Sequence, residues 1–253
     1  MQALRRSSAF TLIEALVVIA IVAILLSIAA VALKGVRERG RRAKSMANLR
    51  THVQVFGAYT NENRDFYPHF TRIGFTNTTV SGGGLEVHGV AYFAASMTWH
   101  IALADGYYGG NARSEVFAPD AYRGGPNWWP YETPYLYGCV FIAHPDYWDP
   151  TTRTGPEQYQ ATQADWVDHP AQKSLIVEAW PFVDDVVTAG DQLAHFLYAS
   201  LCDGSARRLS FFERNSGYRR GDGPQFHMDG AVHWSDWPPL LHTLHGVRGR
   251  DVR

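Results

Sequence analysis

Apolar positions crowd into the first part of this chain and then thin out into two different rhythms. Between Arg6 and Lys34 the only ionisable side chain is Glu14, and the nineteen residues Ala15–Leu33 include a single polar one, Ser27. Wound as a helix, that run rises roughly 28 Å at ~1.5 Å per residue, enough to cross a hydrocarbon core. Beyond Lys34 the continuous run becomes a stripe. Met46, Leu49, Val53 and Phe56 recur at spacings of three, four and three, one face of an amphipathic helix with arginines on its other faces. Such a stripe predicts packing against a globular domain. Asn61-Glu62-Asn63-Arg64-Asp65 and the following Pro68 end the helix near Tyr59–Asn63. Gly35 and Gly40 weaken it by up to ~1 kcal/mol each and mark where it bends on leaving the apolar run.

From residue 66 to 135 the pattern reads as irregular, with loops at Ser81-Gly82-Gly83-Gly84, Gly109-Gly110-Asn111 and Gly124-Gly125-Pro126-Asn127. Ala91–Leu103, free of Pro and Gly, is a helix candidate carrying Phe93, Met97, Trp99 and Ile101. Rhythms typical of strands follow: Tyr135–Ala143, then Lys173–Trp180 after a polar insertion. Residues 195–212 around Asp203-Gly204 predict a hairpin. A two-residue loop there pairs Cys202 with Ser205 and Tyr198 with Leu209, and sets Phe196, Tyr198, Leu209, Phe211 and Cys202 on one face. Asp229-Gly230 predicts a second hairpin, in which His227 and His233 point to opposite faces and cannot share a metal. The expected fold class is therefore α+β, with a long N-terminal helix packed on a C-terminal antiparallel β-sheet domain.

At 253 residues and a net charge of −1, composition points to no polyanionic partner, and nucleic acid is not expected. Charge is uneven, however: Lys34, Arg37, Arg39, Arg41, Arg42 and Lys44 follow the apolar run, opposed only by Glu38. The two cysteines, Cys139 and Cys202, permit one disulfide in an oxidising compartment, and neither belongs to a Cys-x-x-Cys pair.

Ala9-Phe10-Thr11-Leu12-Ile13-Glu14, heading a long apolar run, resembles the processing motif of type IV pilins and type II secretion pseudopilins. The resemblance implies a leader, residues 1–9, cut between Ala9 and Phe10 by prepilin peptidase, with the new N-terminus methylated on Phe10. It implies that Glu14 is the assembly acid, meeting the α-amino group of a neighbouring subunit and setting axial register. Residues 10–33 would span the membrane, 34–62 form the amphipathic half of a pilin-like helix, and 63–253 form an extracytoplasmic α+β domain. Partners implied are the peptidase, other pilin or pseudopilin subunits and the inner-membrane assembly platform. This chain has Ala9 where the family usually has Gly, and Val31 where many members have a kinking Pro. The "Tyr…Asn…Asp…Tyr-Pro" junction at 59–68 and the Asp-Gly hairpins also resemble a pseudopilin-like group of environmental bacteria. That group's His-to-Asp-Gly spacing is not met by His195 and Asp203, so no site is carried over. Counting Lys and Arg alone would place the basic cluster in the cytoplasm. The resemblance instead places the N-terminus there, in a single-pass inner-membrane topology.

Eleven histidines and many carboxylates invite a hydrolase reading, yet the chain lacks Gly-x-Ser-x-Gly, His-Glu-x-x-His and a phosphate loop. No catalytic residue, metal ligand or cofactor is assigned. Asp184, Asp185, Asp191, Asp222 and Asp229 are a conceivable calcium set, and Trp128-Trp129-Pro130-Tyr131 reads as the cap of a small β core rather than a sugar platform. The alternative class is an exported carbohydrate-binding protein or hydrolase, anchored by residues 1–33 or released by cleavage of a signal peptide.

Overall fold

The computed structural model describes residues 11–71, 78–117, 131, 133–149, 151–178, 197–209 and 240–253. One helix, α1, runs Leu12–Glu62 without a break. Its residues through Ala43 form one compact unit, and Lys44–Arg253 form the second. In the first unit the most apolar window of α1 has a mean hydropathy of 3.2 and none of it is buried. Ser27 turns its hydroxyl back onto the Ile24 carbonyl (2.7 Å), so the one polar side chain of the run satisfies its donor within the helix. Long, apolar and uncovered, the segment has the dimensions of a membrane span.

In the second unit the order is the end of α1, β1 (Thr78–Gly82), β2 (Leu85–Val90), α2 (Ala95–Tyr107), β3 (Tyr135–Tyr137), β4 (Ser174–Glu178), β5 (Leu197–Leu201) and β6 (Ala206–Leu209). β1 and β2 form a hairpin, and β3-β4-β5-β6 form a four-stranded antiparallel sheet in that spatial order. The apolar stripe of α1 behaves as its spacing dictates. Leu49, Val53 and Phe56 are buried in one cluster with Tyr135, Tyr137, Ile176 and Tyr198, and Met46 packs at its margin. The opposite sheet face gives Leu136, Val177, Ala199, Leu201 and Leu209, buried with Met97 of α2 and Leu240, Leu241 and Val252 of the C-terminal segment. An α+β layout, with a long N-terminal helix followed by antiparallel sheets, is thus what the chain forms.

α1 closes at Glu62. The Asn63 amide donates to the Tyr59 carbonyl (2.8 Å), and Arg64 and Asp65 take left-handed backbone angles before Tyr67-Pro68 leads away. Asn63 and Asp65 therefore serve the turn, as their residue types favour.

Three sequence expectations are corrected. The stretch from 66 to 135 is not wholly irregular: Ser81–Gly84 closes the β1–β2 hairpin, with Gly83 and Gly84 at φ +57° and +75°. Two central residues at positive φ make a type I′ turn, which glycine adopts without cost. The Tyr135–Ala143 strand stops at Tyr137, and Cys139–Ile142 coil into a 3₁₀ turn. All four of those residues are fully buried, so the run has no alternation to separate a strand from a buried turn.

The third correction is the β5–β6 register. Tyr198 pairs with Arg208 and Leu197 with Leu209, one residue away from the pairing a two-residue loop imposes. Asp203 Oδ1 accepts from the Ser205 N–H (2.9 Å) and hydroxyl (2.6 Å), and Gly204 sits at φ +88°. The loop is therefore Cys202-Asp203-Gly204, a three-residue connection with glycine at the left-handed position. A one-residue slip moves side chains between faces. Tyr198 and Cys202 stay with the α1 side, while Leu209 goes to the other.

The disulfide permitted by Cys139 and Cys202 is not made; both are free thiols, Cys139 buried and Cys202 half-buried. Cys139 follows β3 and Cys202 follows β5, and β4 lies between those strands.

Candidate assembly site

The N-terminal end of α1 is built by two residues three apart. The Thr11 N–H and hydroxyl both donate to Glu14 Oε2 at 2.8 Å, and the Glu14 N–H returns a bond to the Thr11 hydroxyl at 3.3 Å. This is a reciprocal capping box: Thr at the cap position and Glu three residues on satisfy each other's orphan backbone donors. A carboxylate in the first turn also complements the positive end of the helix dipole. The Thr-x-x-Glu spacing carries the signal for this box in the sequence. Thr11 and Glu14 are exposed, as are Leu12 (81%), Ile13 (73%) and Ile19 (65%) around them. The first unit therefore offers an uncovered apolar rod with a single carboxylate at its front. The predicted processing residues, Ala9 and Phe10, lie outside the described residues.

Comparison with models of protein families matches residues 4–30 to the prokaryotic N-terminal methylation motif. That motif is the hallmark of type IV pilins and pseudopilins. The chain carries a pilin-type N-terminus. No curated protein and no solved structure matches the chain. The match takes in most of the apolar run, and it overlaps the exposed helix from Leu12 onward. Together they mark a pilin-like N-terminus of the kind that prepilin peptidase processes, on a helix long and apolar enough to cross a membrane, and they point to a structural subunit.

How the pilin-type helix is held in the second unit depends on polar residues that the apolar stripe did not reveal. Ser45, Asn48 and His52 are buried on α1 beside that stripe. Ser45 donates to Glu178 of β4, and Asn48 Nδ2 donates to the Tyr135 hydroxyl of β3 at 3.2 Å. His52 Nδ1 meets the Tyr108 hydroxyl at 2.9 Å, its ring set edge-on to Trp99 and Tyr135 and stacked with Phe117. Burial drives the His52 imidazole down from its ordinary 6.5 to about 3, so it is neutral at physiological pH. These pairings specify the helix position along the sheet more sharply than apolar contacts do, because each donor must find its acceptor.

A second buried polar group fastens the C-terminal segment. Lys173 Nζ lies 3.3 Å from Asp251 Oδ2, both fully buried, and the Ser174 N–H donates to the same oxygen at 2.9 Å. Burial pulls the lysine down and pushes the aspartate up, and each opposes the other's shift.

Of the candidate ligand residues, Asp184, Asp185, Asp191, Asp222, Asp229, His227 and His233 lie outside the described residues, as do Trp128 to Pro130. Among the described residues no three His, Cys, Asp or Glu side chains gather as a metal site. A surface recess of about 380 Å³ is lined in part by Asp146, Asp149, Asp168, His245 and Arg248. Asp149 there accepts from Thr151 and lies 3.3 Å from His245 Nδ1. Those bonds hold its carboxyl below the usual range, with the Thr151 hydroxyl the main cause. Charges of both signs thus face one another in the recess, as is common in loops.

Proposed function

We propose that this chain is a structural subunit of a type IV pilus-like or type II secretion pseudopilus filament. Prepilin peptidase cuts between Ala9 and Phe10, and Phe10 is methylated on its new α-amino group. The subunit waits in the inner membrane as a single-pass protein, N-terminus in the cytoplasm and second unit outside. The assembly platform then draws the helix into a filament, where apolar rods pack side by side. Contacts of this head-to-tail kind do not close on themselves, so the assembly grows.

Glu14 is the keying group of that packing. Its Oε2 is already held by Thr11, which fixes the carboxylate at the front of the rod. There it receives the α-amino group of a neighbour's Phe10, a pairing that sets axial register. The observation that carries this reading is the methylation motif at residues 4–30 running directly into an apolar helix with none of its most apolar window buried. Mass spectrometry of the mature N-terminus tests it. N-methylated Phe10 is the expected result. A mature chain starting near Leu33 identifies a cleaved signal peptide and a released protein, and overturns the filament reading.

A further inference from the structure

The filament reading uses the apolar rod and its acid, but not the charge that follows them. Arg37, Arg39, Arg41 and Arg42 fall within nine positions of Leu33, and Glu38 is the one acid between Glu14 and Glu62. The stretch is unbroken helix, with Arg37, Arg39 and Arg41 exposed and Arg42 half-exposed. At ~1.5 Å per residue their Cα atoms lie roughly 6–14 Å past the end of the apolar run. The polar layer flanking a hydrocarbon core is roughly 5–8 Å thick on each side. Side chains on a helix lean towards its N-terminus. For a helix leaving the membrane in the N-to-C direction, that is back towards the headgroups.

The arrangement around the helix axis narrows the partner. At about 100° per residue, Arg37 and Arg41 share one side, and Arg39 and Arg42 lie well round towards the other. A protein surface or a duplex would engage one side, whereas lipids surround the rod. The guanidinium fork matches phosphate oxygens in pairs and is lightly hydrated, which suits a headgroup layer.

We propose that these four arginines form a collar that binds the phosphates of anionic phospholipids in the leaflet where the helix leaves the membrane. The collar holds the subunit at its membrane depth until assembly withdraws it. This rests on reading the preceding run as a retained membrane span.

The test uses the detergent-solubilised full chain, incubated with mixed micelles of equal parts phosphatidylglycerol and phosphatidylcholine, with retained lipids counted by native mass spectrometry. The expected result is several-fold preference for phosphatidylglycerol. That preference falls towards parity in the R37Q/R39Q/R41Q/R42Q variant and on raising salt from about 0.05 M to about 0.5 M. Carbonate extraction establishes that the variant still inserts. Equal retention of both lipids by the unaltered chain, or a preference untouched by the four substitutions, overturns the collar. So does a variant that loses binding to a DNA duplex while keeping the lipid preference of the unaltered chain. Lipid preference that persists in a chain never found in filaments upholds the collar and counts against the filament reading alone.

Discussion

At the scale of single residues, Glu14 and His52 show how a polar side chain in an apolar setting is put to use. Glu14 joins Thr11 in a reciprocal cap that leaves the apolar run intact behind it. Replacing it with alanine removes the carboxylate that accepts from the Thr11 N–H and hydroxyl, without adding charge to the span. Glu14→Ala is therefore expected to insert normally by carbonate extraction and to be missing from sheared filaments by immunoblot. Normal incorporation of this variant would remove Glu14 from the mechanism. His52 makes a prediction about pH. The unfolded chain takes up a proton on this imidazole near 6.5, and the folded chain only near 3. Between those values the unfolded state binds more protons, so this residue's contribution to stability is lost as pH falls from about 6.5 to about 3. Urea midpoints of the second unit, read in the full chain at neutral and acid pH, should fall less for His52→Gln than for the unaltered protein. Parallel pH curves for the two proteins would show that His52 does not carry the effect.

At the scale of elements, legibility followed periodicity. α1 could be read over its whole length because two signals, a continuous apolar run and then a stripe, agree with one helical period. α2 was visible as a stretch without helix breakers. The β1–β2 hairpin was not, because its turn is three glycines that read equally well as a loop. What makes it a hairpin is its surroundings: the Gly83 N–H donates to Asp105 Oδ1 of α2 at 2.9 Å, and its carbonyl accepts from Ala112 at 3.2 Å. A Cβ placed on Gly83 would come within 2.3 Å of the Ala112 nitrogen, whereas one on Gly84 meets open space. Both glycines hold positive φ, so both alanine variants are strained. Gly83→Ala is expected to cost more, on the order of 2–3 kcal/mol, against about 1 kcal/mol for Gly84→Ala. Thermal unfolding of the two variants side by side measures the difference, and equal costs would mean that the close approach to Ala112 does not matter.

At the scale of the whole molecule, burial decides the chemistry of groups that look reactive in isolation. Burial raises the Cys139 thiol to about 12, and Cys202 likewise, and reactivity depends on the thiolate. Alkylation of the native chain near neutral pH is thus expected to be slow, and both thiols should react once the chain is denatured without reductant. A denatured, unreduced chain with no reactive thiol would show that a disulfide had been present after all. Residue type and spacing alone determined the membrane-length rod, its leading acid, the methylation motif and the stripe that faces the sheet. Each of these is a local periodicity or a contiguous motif, and it survives without knowledge of the fold. The β5–β6 register, the separation of the two cysteines by β4, and the pairing of Ser45 with Glu178 and of Lys173 with Asp251 were decided by tertiary structure. Each depends on which distant segments become neighbours, and that is fixed by which arrangement satisfies every buried donor and fills the core.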